Sequence, residues 1–192
     1  MSIRTYLFLV ITICLVAQIP TLQPWLAWDR NAILQGEIWR ILTGNLTHTN
    51  WAHLLMNALA LLVISFIFRA HFNAKRYTAL IIVLSIGIGG GIFATNMQWY
   101  AGLSGVLHGI FAWGAINDIR TKTKGGWLLF VGLIIKITWE QIYGGSASSE
   151  ALIGARVATE AHLIGALIGA LSGFIYFFSS QQDTDKKHNY PN

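Results

Sequence analysis

Six apolar blocks, at 6–19, 51–68, 77–94, 104–116, 127–142 and 161–178, divide this chain, and each approaches the length of a membrane crossing. Inside hydrocarbon the backbone must satisfy its own hydrogen bonds, which an isolated strand cannot do, and no alternating barrel pattern is present. The blocks therefore read as helices. The expected fold class is all-α: a polytopic membrane protein, a six-transmembrane-helix bundle. Only 11% of the residues are charged, against roughly a quarter in a soluble domain, so a water-soluble fold of this make-up would precipitate. The net charge of +5 sits in short clusters between the blocks, which is how topology signals look; nucleic acid is not an expected partner, and the lipid bilayer is.

A single membrane domain is expected over 1–180, followed by a polar, disordered cytoplasmic tail at 181–192. The first connection, 20–50, is rich in Trp with a periodic apolar middle and reads as an interfacial segment within that domain. The first block resembles a signal peptide but is followed by no small-x-small cleavage site, so it reads as the first crossing. Cys14 is the only cysteine, which rules out an intrachain disulfide and a Cys-based zinc site. Arg4, Arg69, Lys75, Arg76, Arg120, Lys122, Lys124, Lys186 and Lys187 fall on one side of the blocks, and Arg30, Arg40 and Arg156 on the other. The basic side faces the cytoplasm, so both termini are expected there.

That orientation brings three unlinked polar residues to one depth. His53 lies near the outer start of the second block, Ser104 opens the fourth, and His162 lies near the outer start of the sixth. From Ser104 to Asp118 a helix rises only about 21 Å, less than the roughly 30 Å hydrocarbon core, so Ser104 is sunk below the outer surface. Taken alone, Ser104 reads more readily as an N-cap. His162 shifts that balance, because an ionisable side chain inside a membrane helix is costly and points to function. Gly165 and Gly169 share its helix face, and Gly105 and Gly109 form a matching stripe on the fourth block, so the two helices can approach until imidazole meets hydroxyl. Gly102, with Gly105, lets the chain bend sharply beside Ser104.

Serine is a weak nucleophile until a base takes its proton, and neutral imidazole does this near pH 7. A Ser104–His162 dyad is the expected catalytic pair; Asp118 lies at the wrong end of its helix and Glu160 on another face of its own. His53 and Asn57, spaced i, i+4, share a helix face and can supply hydrogen bonds to an oxyanion beside the Ser104 amide; by themselves they fit a satisfied interhelical bond equally well.

Together these motifs resemble the rhomboid family of intramembrane serine proteases. The likeness rests on "EIWR" in the first connection, "HTNWAHLLMN" with His48, His53 and Asn57, "GLSG" around Ser104 and "AHLIGALIG" around His162, and it spans 37–173. It implies a rhomboid-like six-helix bundle in which Ser104 is nucleophile, His162 general base and acid, and His53, Asn57 and the Ser104 amide the oxyanion hole. It also implies membrane-anchored protein substrates and no cofactor or metal. His108 falls where many rhomboids place an aromatic side chain against the catalytic imidazole. With the bare six-helix core, that histidine is similar to rhombosortase, a bacterial subgroup associated with secreted proteins carrying a carboxy-terminal Gly-Gly motif, transmembrane helix and basic tail. The implied location is a bacterial-type inner membrane, with the site opening to the extracytoplasmic side.

Two other classes stay open on sequence. Lys136 and Glu140, i, i+4 on the fifth block, form a self-neutralising pair that a small transporter could use. A rhomboid-like protein without catalysis would bind membrane clients instead. A zinc protease is disfavoured because "HTNWAH" lacks the His-Glu-x-x-His arrangement. Trp39 and Arg40 read as anchors of the first connection, glycines 87, 89, 90 and 91 as packing positions, and the Gly/Ser/Ala-rich stretch at 143–161 as a mobile lid.

Overall fold

A computed structural model describes residues 2–189, with side chains through 175; the disordered tail expected at 181–192 lies outside the residues described with side chains. Six long helices correspond to the six blocks: α1 (Ile3–Ala17), α5 (Trp51–Ile67), α6 (Ala74–Gly91), α7 (Ser104–Arg120), α8 (Gly126–Tyr143) and α10 (Thr159–Asn189), each starting within three residues of its expected position. Short helices fill the connections: α2 (Gln23–Leu26), α3 (Arg30–Leu34) and α4 (Arg40–Thr43) before α5, and α9 (Ala147–Ile153) before α10. Local chemistry sets the starts. The side-chain oxygens of Ser2, Asn50, Asn73 and Ser146 accept the amides of Thr5, His53, Arg76 and Ser149, capping α1, α5, α6 and α9. Pro20 and Pro24 follow the end of α1.

α7 is the axis of the bundle. Twelve of its 17 residues are buried, so it is enclosed by its neighbours along most of its length, as a central helix must be. α10 lies directly along it: a Cβ on Gly165 would fall on the Gly105 carbonyl, and one on Gly169 on the Gly109 carbonyl. The stripes expected to match therefore do so backbone to backbone. At the opposite end of α7, Asp118 accepts from His71 at 2.6 Å, tying the α5–α6 connection to the bundle.

The exterior is strongly apolar. Phe8, Leu55, Phe66, Leu128 and Ile135 are all more than half exposed, an arrangement that lipid solvates and water does not. One helix among the described residues, Ala74–Ala94, is long and apolar enough by itself to cross a membrane; Ile3–Ala17, Trp51–Ile67 and Thr159–Ile175 are shorter apolar helices.

The first connection is ordered by polar ties that its sequence did not announce. Trp28–Asp29 (β1) pairs antiparallel with Trp99–Tyr100 (β2), a two-residue ladder that fastens this segment to the chain just before Ser104. Arg40 is buried; its Nη1 donates to the carbonyls of Pro24 and Ala27, both at 2.7 Å, and its Nε to Glu37 at 2.6 Å. Trp39 Nε1 donates to the Trp25 carbonyl at 3.0 Å. Arg30, which the sequence offered only as a topology charge, donates to the carbonyls of Ile92, Phe93, Thr95 and Met97, tying the first connection to the segment that follows α6.

Candidate active site

Ser104 occupies the first position of α7, and Leu103 precedes it as the cap residue with no side-chain capping bond. The N-cap reading of Ser104 therefore does not apply. Its hydroxyl turns instead to His162 on α10, with Oγ and Nε2 at 2.8 Å. This meeting depends on the absence of side chains between the helices. Gly105 and Gly165 let the two backbones touch, and the first turns of α7 and α10 then lie side by side at one depth. Gly102 has φ +148°, and a Cβ there would also press on the His53 ring at 2.9 Å, so this position needs glycine on both counts. Its carbonyl accepts from the Tyr100 hydroxyl and its amide donates to the Gly44 carbonyl at 3.2 Å, so the turn before Ser104 is held from both sides.

The His162 ring is fixed on three sides. Its Nδ1 lies 2.9 Å from Glu140 Oε2, and a carboxylate accepts there, so Nδ1 carries the proton and Nε2 presents its lone pair to the Ser104 hydroxyl. The His108 ring stacks on one face at 4.0 Å between centroids and 19° between planes. His108 Nδ1 donates to the Ser104 carbonyl at 2.7 Å, which sets its orientation. Placement of His108 against the imidazole is the arrangement its sequence position suggested. Glu140 is the residue that sequence reasoning missed. The i, i+4 spacing pairs it with Lys136, and the two do pair, but that pairing uses only Oε1.

His53 and Asn57 lie on the face of α5 toward this pair, both buried. Asn57 Nδ2 has no hydrogen-bond partner among the described residues. Thr49 Oγ1 donates to the Ile153 carbonyl at 2.7 Å, and a hydroxyl has one proton, so its 3.0 Å contact with His53 is made by the Nδ1–H of His53. In this arrangement His53 Nε2 holds a lone pair. His48, in the connection just before α5, meets the His53 ring edge-on at 5.1 Å. Burial, and then the neighbouring His53, push the His48 pKa down to about 3, so it is a neutral packing group at physiological pH.

These side chains border a cavity of about 1230 Å³. Its lining includes Ser104, His162 and Asn57, together with Met56 and Val63 of α5 and Gly132 and Trp139 of α8. α9 lines it through Ser149 and Ile153 and is joined to the start of α5 by Thr49 and by Asn50 Nδ2, which donates to the Leu152 carbonyl at 3.0 Å. The stretch expected to be a mobile lid thus contains a helix, started by Ser146 and ended by Gly154 in the left-handed conformation. His108, Glu140 and His162 have ligand-type atoms within 4.8 Å of one another. That proximity does not amount to a metal site: two nearly parallel stacked rings do not aim their lone pairs at a common point, and both nitrogens of His162 are engaged.

Fold and site together define an all-α bundle in which a hydroxyl, an imidazole and a carboxylate from three helices are hydrogen-bonded in series. The chain belongs to the rhomboid family, matching the Rhomboid domain over residues 35–179. It is similar to the rhomboid protease GlpG of Salmonella paratyphi A (strain ATCC 9150 / SARB42), 22% identical over 169 residues, which are 85% of this chain and 58% of that protein. The rhomboid proteases GlpG of Salmonella choleraesuis (strain SC-B67) and Salmonella newport (strain SL254) are 23% and 22% identical over the same shares. The chain spans about 58% of the length of these curated relatives. Family membership makes it a membrane protein.

Proposed function

We propose that this protein is an intramembrane serine endopeptidase acting on membrane-anchored proteins. The observation that carries the reading is the 2.8 Å contact between Ser104 Oγ and His162 Nε2, both of which line the cavity. His162 Nε2 takes the hydroxyl proton as Ser104 Oγ bonds to the scissile carbonyl carbon, and the carbonyl π electrons move onto oxygen. That oxyanion is received by the Ser104 amide, one of the unpaired first-turn donors of α7, and by Asn57 Nδ2. His162 returns the proton to the departing amine, and water then cleaves the acyl-enzyme by the same relay in reverse.

His53 joins the oxyanion hole when Nε2 is protonated. This requires Thr49 to turn its proton from the Ile153 carbonyl to His53 Nδ1, and lifting α9 frees it to do so. The lid reading thus gains a specific consequence, since opening admits the substrate and also sets the donor. The apolar walls between α5 and α8 suit a membrane helix, whose scissile segment must leave its helical hydrogen bonds to enter. The transporter reading loses its main feature, because Glu140 is shared with His162 rather than reserved for Lys136.

Within this class we assign the chain to the rhombosortase subgroup, on His108 stacked against His162 and the six-helix core, with both termini cytoplasmic. The substrate is then a secreted protein cut at a Gly-Gly motif before its membrane anchor. Co-expression with membrane-anchored reporters tests both levels. Cleavage by wild type and none by Ser104→Ala supports the peptidase reading, and cleavage by Ser104→Ala refutes it. Equal cleavage of a Gly-Gly reporter and its Leu-Leu counterpart refutes the subgroup alone.

A further inference from the structure

We propose that Glu140 is a positioning residue that completes a Ser104–His162–Glu140 relay, so that this site works as a three-residue system rather than a dyad. The inference rests on the serine peptidase reading and adds to it the group that orients the base. Glu140 comes from α8, Ser104 from α7 and His162 from α10, so three separate helices converge on one imidazole.

The two oxygens of Glu140 go to different partners, Oε1 to Lys136 and Oε2 to His162 Nδ1 at 2.9 Å. A pair formed only for mutual neutralisation would need no second bond. The burial is also unequal. The Lys136 side chain is 51% exposed where that of Glu140 is 10%, so the acid is the member held inside, and it is held against the ring. The helix register is fixed at that point: Gln141 Nε2, next to Glu140, donates to the Thr159 carbonyl at 2.9 Å, pinning the end of α8 to the start of α10.

The groups facing His162 are Glu140 from α8, His108 from α7 and His53 from α5, with Lys136 behind Glu140. Glu140 is the one anion among them. When the Ser104 proton moves to Nε2, the ring becomes an imidazolium whose Nδ1–H already donates to a carboxylate. No proton passes to Glu140, and the positive charge is stabilised where it forms. Before that step, the same bond excludes the tautomer with its proton on Nε2, which could not act as the base. Lys136 keeps an ionised carboxylate tolerable in an apolar setting while leaving Oε2 free for the ring.

The test is the rate at which a fluorophosphonate labels the full chain in detergent micelles. Glu140→Gln keeps shape and hydrogen bonding but can present its amide N–H to Nδ1; labelling is expected to fall by at least about 100-fold, with Glu140→Asp recovering a substantial part. A second measurement does not require any Glu140 variant to fold. Selectively 15N-histidine-labelled wild type should show a far-downfield N–H resonance that belongs to His162 Nδ1 and is lost in His162→Phe. Glu140→Gln labelling within about threefold of wild type, or a wild type without that resonance, overturns the proposal. If wild type does not label at Ser104 at all, the peptidase reading falls and this inference with it; if wild type labels and Glu140→Gln labels equally, only the inference falls.

Discussion

Substituting Gly165 by alanine tests the geometry without touching any reacting group. The Cβ would be driven onto the Gly105 carbonyl oxygen, and that oxygen belongs to the α7 backbone, which cannot swing aside as a side chain could. Gly105→Ala provides the graded comparison. Its Cβ would stand 2.9 Å from the Ala161 carbonyl where ordinary contact begins at 3.4 Å, so the helices must part by 0.5 Å. Applied to the 2.8 Å Ser104–His162 contact, that leaves a strained bond of 3.3 Å. The overlap at Gly165 is larger and takes the pair beyond hydrogen-bond range. A misplacement of about 1 Å costs on the order of 100-fold in rate, and overpacking about 1–3 kcal/mol in stability. Fluorophosphonate labelling should therefore fall about 100-fold for Gly165→Ala and less for Gly105→Ala, with melting in detergent lowered in the same order. Gly90→Ala, where a Cβ meets nothing within 4 Å, should label like wild type. Unchanged labelling by a folded Gly165→Ala would show that tight packing of α7 on α10 does not set the reacting distance.

His108→Tyr keeps a ring over His162 and should retain labelling within about tenfold, while His108→Ala removes the stack and should lose more; equal rates for the two would dismiss the stack as a positioning contact. Arg40→Met breaks two charge-assisted bonds to the Pro24 and Ala27 carbonyls, a loss of about 3 kcal/mol, and limited proteolysis should cut within 20–50 before the bundle melts. Cysteines replacing Asn50 and Leu152, whose side chain and carbonyl already meet at 3.0 Å, should slow reporter cleavage when oxidised and restore it on reduction; turnover indifferent to oxidation would argue against a lid. Asn57→Leu removes the unpartnered amide proposed to receive the oxyanion and should lower turnover by about 100-fold with little change in reporter binding.

What the sequence disclosed, and what it withheld, divides along the range of the interactions. The six helices were legible because lipid imposes a length on each crossing, and the asymmetry of Lys and Arg suggested which ends share a side. Ser104 and His162 could be matched, although 58 residues apart, because both fall near the outer start of a block and both sit on glycine stripes of the same spacing. Glu140 could not. Its i, i+4 neighbour Lys136 offered a sufficient local explanation, and the rotation of α8 that aims Oε2 at His162 leaves no periodic trace. Arg30 is a similar case: a basic residue outside the blocks counts toward topology, whereas its four carbonyl partners come from the segment after α6, more than 60 residues away. The β1–β2 ladder is two residues long, too short for any alternation to register.

The central claim is that Ser104 is a hydroxyl made nucleophilic by His162. Mass-spectrometric mapping of the fluorophosphonate adduct on the intact protein tests it most directly. The account predicts one adduct, on the peptide containing Ser104, abolished in His162→Ala while that variant keeps its helical content. An adduct on another residue, or labelling of Ser104 undiminished without the imidazole, would contradict it.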